Sequence, residues 1–132
     1  MMFTGSEGQA LIAFCRGLGL GLLKVCRCRG KWSARQNEIY DGAIAGIEAG
    51  VAACRLGVTA SDLYKAVLDV LDGRGIFCGY PIYGHSFGLG WGGPWLVPDN
   101  SFKVGAGMAI AVECMAGRED VGYVKFEHNC PS

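Results

Sequence analysis

Three side chains in the later part of the chain are of the right types to work together. His85 stands in the glycine-rich run Tyr83-Gly84-His85-Ser86-Phe87-Gly88-Leu89-Gly90, Glu113 ends the apolar run Met108-Ala109-Ile110-Ala111-Val112-Glu113, and Glu127 ends the alternating run that begins at Tyr123. An imidazole with two carboxylates suits a divalent metal such as Zn, Mn, Co or Fe. On residue type alone a plainer reading stands beside this one, in which His85 bonds its neighbours in a loop and the two glutamates face water at strand ends. Glu113 weighs toward the metal, because a carboxylate following a buried-looking run is costly unless a cation compensates it.

These residues must be held by something, and the chain announces its elements in order. Ser33-Ala34-Arg35-Gln36 has the spacing of a capping box, and Ile39, Ala43, Ile44, Ile47, Val51 and Cys54 recur at helical intervals, with Gly57 as the stop. Thr59 with Asp62 opens a second helix through Leu63, Ala66, Val67, Val70 and Leu71, closed by Gly73 and Gly75. The two helices form a hairpin at Gly57. Strands are expected at Ile76-Phe77-Cys78, from Met108 to Cys114 and from Tyr123 to Glu127. Between the first two of these, Gly79 to Pro98 is dense in Gly, Trp, Tyr and Pro and reads as a loop. Met1 to Gly30 reads as irregular or weakly helical, since Gly17, Gly19 and Gly21 interrupt its one helical face.

Composition limits the function classes. The chain has 132 residues, 51% of them hydrophobic and 18% charged, enough for one packed domain and too apolar for disorder. Net charge is zero, but unevenly: through Trp32 five basic residues face one acid, and beyond it seven face eleven. Arg27, Arg29 and Lys31 are too few to argue for nucleic acid. Ala10 to Leu23 is too short to span a bilayer and is broken by Arg16, so no membrane is expected. Seven cysteines without a secretory pattern imply free thiols and a cytoplasmic setting; Cys15, Cys26 and Cys28 lack the second pair that a zinc site would need.

The order of the pieces is more specific than any one of them. Two helices, then Gly-His-x-x-Gly-Leu-Gly, then Val97-Pro98-Asp99-Asn100-Ser101, then Gly105-x-Gly107-Met108 and a strand ending in Glu113, then a strand ending in Glu127, resembles the creatinase/aminopeptidase P, or pita-bread, superfamily. The match runs from about Gly30 to Asn129. It implies an α+β domain, a helical hairpin on a curved, mainly antiparallel sheet, equivalent to half of a pita-bread fold. It implies that His85, Glu113 and Glu127 are metal ligands in a centre that is dinuclear in the family, with Glu113 and His85 catalytic. The activity implied is hydrolysis of a small peptide, often before proline; another small-molecule substrate belongs to a lyase branch.

Three departures qualify what is carried over. The family takes two further ligands from aspartates ahead of the first helix, and this chain has none before Asp41, so the dinuclear centre is incomplete here. Where peptidases of the family place a His-Glu pair, this chain has Gly92-Gly93; Trp91 and Trp95 flank that point and read either as an aromatic, substrate-binding entrance or as packing. The short step from Glu113 to Glu127 is similar to the branch that includes dimethylsulfoniopropionate lyases, and a non-catalytic remnant acting by binding is the third reading. Residues 1–29 show no family resemblance, residues 30–132 form the partial pita-bread domain, and a truncated or frameshifted gene product is the expected origin of that boundary. A homodimer, or a partner covering the missing half, is expected to hide its sheet edges.

Overall fold

A computed structural model describes residues 32–88 and 91–131, the side chains of Trp91 and Pro131 excepted. The readings of Met1 to Gly30, and of Cys15, Cys26 and Cys28, lie outside these residues. Among the described residues, no helix is long and apolar enough to cross a membrane.

Both helices begin at the capping boxes. Helix α1 spans Ala34–Ala53; Ser33 Oγ accepts from the backbone N–H of Gln36 at 3.2 Å, and the Gln36 side-chain oxygen accepts from the N–H of Ser33 at 2.9 Å. Helix α2 spans Ala60–Asp72 and repeats the device with Thr59 and Asp62. The turn between them uses Gly57 at φ +83°, a conformation that glycine adopts without strain, and its N–H donates to Val104 O at 2.8 Å.

Two bonds from Thr59, one from its hydroxyl and one from its backbone N–H, hold the Asp62 carboxyl below its usual 3.8. The folded chain thus favours the charged form, so this contribution is present above about pH 4 and fades as pH falls through the lowered folded value. Asp62→Asn is expected to lower the urea midpoint at about pH 6 and to leave it near the parent value at about pH 2.5. An equal loss at both would assign the effect to packing instead of charge.

Among the described residues five strands follow: β1 Phe77–Cys78, β2 Gly84–Phe87, β3 Trp91–Trp95, β4 Ala109–Arg118 and β5 Gly122–Pro131. All the pairings are antiparallel. The long strand β4 pairs along its whole length with β5 on one side; on the other side it pairs with β2 near its start and β1 near its end, and β3 continues outward from β2. This corrects the loop expected from Gly79 to Pro98, which contains β2 and β3. Its glycines and prolines hid those strands, because their partners lie far along the chain and the pairing is irregular: His85 lies opposite Trp95 but Ser86 opposite Gly92.

The helices pack on one face of the sheet. Ile39, Ala43 and Ile47 of α1, Leu63, Val67 and Leu71 of α2, and Ile110, Val112, Cys114, Ala116 and Val124 of the sheet are buried together in one core. Small residues on α1 allow the close approach: a Cβ at Gly50 would stand 2.7 Å from Val112 Cγ1 and 2.8 Å from Val67 Cγ2. Arg118 joins the layers at the far end, bonding Glu38 at 2.9 Å and the carbonyls of Gly75 and Arg74 at 3.2 and 3.1 Å. The expected α+β hairpin-on-sheet is the architecture found.

Candidate functional site

Alternation along β4 separates core from site. Ile110, Val112, Cys114 and Ala116 turn toward the helices, where Cys114 Sγ lies 3.8 Å from Ala43 O. Ala111, Glu113 and Met115 therefore take the other face. Residues paired directly across strands share a face, and the register places Asn129 opposite Ala111, Glu127 opposite Glu113 and Lys125 opposite Met115 on β5. On β2, His85 lies opposite Ala111, diagonal to Glu113. The three residues singled out from sequence thus share one face, away from the helices. His128, next to Glu127, lies within β5, half-buried, on the helix-facing side opposite Val112.

Two carboxylates directly opposite each other repel unless a cation lies between or beside them. Here Lys125 supplies it: its Nζ is 2.5 Å from Glu113 Oε2, with the Glu113 side chain 9% exposed and that of Lys125 46%. Burial makes the unpaired carboxylate costly, which is why the ammonium is drawn to it despite the entropy of ordering a long side chain. His85, with its proton on Nδ1, donates to Ser86 O at 3.0 Å, and the Trp95 ring meets the imidazole edge-on at 5.7 Å between centroids. Trp95 is half-buried against His85, which gives it a packing role on the ligand candidate itself. The Trp91 side chain lies outside the described residues.

By type and by face, His85, Glu113 and Glu127 suit a divalent cation. Among the described residues, however, no three His, Cys, Asp or Glu side chains converge, and the positive charge beside Glu113 is the ammonium of Lys125. Asn129 Oδ1, on the same face as Glu127, is buried without a hydrogen-bond partner among the described residues, an acceptor awaiting a donor. Sequence reasoning missed Lys125 and Asn129. The alternation that pointed to Glu127 carries both, at two residues before it and two after.

The comparisons with known proteins bear on this arrangement. The model of metallopeptidase family M24 matches residues 24–130, most of the chain. This chain belongs to metallopeptidase family M24. The M24 match includes β2, β4 and β5 as far as Cys130, with all three candidate residues. Among solved structures, a dipeptidase from Pyrococcus horikoshii OT3 is 24% identical over 76% of this chain with a TM-score of 0.70. The Xaa-Pro dipeptidase from Bacillus anthracis is 23% identical over 78%, also at 0.70. The dipeptidase PepE from Mycobacterium ulcerans is 29% identical over 74%, at 0.67. Among curated proteins none matches by sequence. These likenesses establish the pita-bread fold for this M24 chain, whose matched part spans 29%, 30% and 27% of those three proteins respectively.

Proposed function

We propose that this M24 chain supplies the His85, Glu113 and Glu127 side of a metal-dependent hydrolase site of the Xaa-Pro peptidase type. The observation that carries the reading is the register of β4 with β5, which sets Glu113 opposite Glu127 on the face that also bears His85. Peptidase structures of the same fold support a small peptide as substrate. Three ligands can hold one cation with a position left open, whereas two cations normally take more carboxylates. Those would come from a partner subunit or another segment closing over this face, since the chain has no aspartate ahead of Asp41. Metal identity among Mn, Co, Zn and Fe, and a cytoplasmic location, belong to the same reading.

One observation favours a second reading, a non-catalytic module that acts by binding: Lys125 already neutralises Glu113. The two are separated by assaying the purified chain with millimolar Mn or Co against an Xaa-Pro dipeptide, with metal content measured in parallel. The hydrolase reading expects slow proline release that falls at least about a hundredfold in Glu127→Gln and in His85→Ala, in line with losing a ligand or the base it orients. No metal uptake and no proline release above the metal blank would favour the binding module. Elimination from a sulfonium carboxylate without peptide cleavage would instead place the chain in the lyase branch.

A further inference from the structure

Strand β5 ends the sheet. It pairs with β4 along all 10 of its residues and, among the described residues, with no strand on its other side. The direction of its backbone groups follows from β4, because successive residues of a strand turn their N–H and C=O to opposite sides. The N–H of Glu113 donates to Tyr83 O at 2.9 Å, and Met115 O accepts from the N–H of Gly79 at 2.7 Å, so the odd-numbered residues of β4 address the side of β1 and β2. Their opposites on β5, Lys125, Glu127 and Asn129 among them, therefore address the outer edge. The register with β4 runs without a bulge, and no proline interrupts the edge from Val124 to Asn129. A long regular edge of this kind is a template for another strand.

The charges along it say which strand fits. A lysine ordinarily guards an edge, but this one stands two residues from a glutamate that addresses the same edge. Two antiparallel copies of β5 can pair only with odd residues opposite odd ones, since edge-directed groups must meet. Centred on Lys125, such a pair sets that lysine against itself, and centred on Glu127 it sets two carboxylates against each other. Centred on Phe126, it sets Lys125 opposite Glu127 twice over. Opposite charges directly across a strand pair attract and like charges repel, so only the last of these central registers is favoured.

We propose that the outer edge of β5 is a homodimer interface, at which two copies pair antiparallel about Phe126 and Lys125 of each faces Glu127 of the partner subunit. The contact is isologous and closes on itself. It joins two five-stranded sheets into one, and a two-fold axis perpendicular to the joint keeps both His85 faces on the same side. Lys125, with its Nζ 2.5 Å from Glu113 Oε2, then lies between that carboxylate and the partner's Glu127, which an ammonium with three donors can serve together. Phe126, which meets Tyr40 edge-on at 5.1 Å on the helix side, meets its own copy across the joint. Each copy thus contributes a charge to the other's candidate site. The inference rests on the strand edge and not on hydrolysis, so either reading can fail without the other.

The test is sedimentation velocity of the full chain without added metal, from low micromolar to hundreds of micromolar. A reversible dimer is expected. Glu127→Lys sets lysine against lysine at two symmetry-related contacts and should weaken the dimer about a hundredfold, about tenfold for each. Combining it with Lys125→Glu exchanges the two charges, keeps an ammonium directly opposite Glu113, and should restore the dimer. Asn129→Pro removes one edge-directed N–H and no bond to β4, so it should keep the circular dichroism of the parent while weakening the dimer. Should a charge variant fail to fold, Asn129→Pro decides, together with backbone exchange in the parent, where the Glu127 amide should slow as concentration rises. A monomer at every concentration, including one whose β5 edge is covered by residues 1–31 of its own chain, would overturn the proposal. So would a dimer that ignores Glu127→Lys or Asn129→Pro, or one that the charge exchange does not restore.

Discussion

Replacing Lys125 by methionine is expected to destabilise the chain by about 2 kcal/mol without added metal and to make its stability depend on divalent metal. The first part follows from burial. Glu113 keeps only 9% of its side chain exposed, so losing the ammonium leaves a carboxylate unpaired beside a second one, Glu127. Breaking a fully buried pair costs about 3–5 kcal/mol and an exposed pair about 0–1; Lys125, 46% exposed, places this pair between the two. Methionine keeps the apolar stem, so packing changes little. For a domain of this size the loss corresponds to roughly 10 °C in melting temperature.

The second part follows from what the vacancy offers. Without Lys125, the face keeps two facing carboxylates and an imidazole and loses its ammonium, a set of groups that suits a divalent cation. Manganese or zinc should therefore raise the melting temperature of Lys125→Met well above any rise in the parent, with half-saturation at least about tenfold lower, since the metal no longer competes with the ammonium. Glu113→Gln in the same background should recover most of the lost stability and abolish the metal response, closing a double-mutant cycle on the pair. A Lys125→Met chain that is as stable as the parent and indifferent to metal would mean that water, not Lys125, satisfies Glu113.

Lys125 also shows what could and could not be read from sequence. Capping boxes are local, satisfied within four residues, so Ser33 with Gln36 and Thr59 with Asp62 located both helix starts to the residue. The site face was legible in kind, because the glutamates ended two runs whose periodicity pointed to strands. Its electrostatics were not. The Glu113–Lys125 contact is a diagonal across two strands, and only the register that sets Glu113 opposite Glu127 reveals which side chain lies within reach. Strands β2 and β3 were hidden for the same reason: what makes Gly84–Phe87 a strand is the stretch Ala109–Val112 that it pairs with, far along the chain.

Gly84→Ala is expected to cost about 3–5 kcal/mol, enough to leave much of the chain unfolded given typical domain stabilities of about 5–15. Two independent effects add. Gly84 adopts φ +147°, where a Cβ brings strain of about 1–3 kcal/mol. That Cβ would also stand 2.0 Å from the backbone carbonyl oxygen of Ala111 and 2.7 Å from Leu96 Cδ1, an overpacking worth about 1–3 kcal/mol or more because a strand carbonyl cannot step aside. Gly88 provides the control on the same segment: its Cβ position is open, so Gly88→Ala should stay within about 0.5 kcal/mol. Urea unfolding followed by circular dichroism measures both, and a Gly84→Ala loss below about 1 kcal/mol would refute the argument. The reason the loss reaches the site is positional. His85 stands opposite Ala111, and diagonal to Glu113, only while the residue before it can lay its Cα against the Ala111 carbonyl. The glycine in Gly84-His85 is therefore a condition for the histidine's place on the face of the sheet that bears Glu113 and Glu127, and any side chain there would push β2 away from β4 before it changed any chemistry.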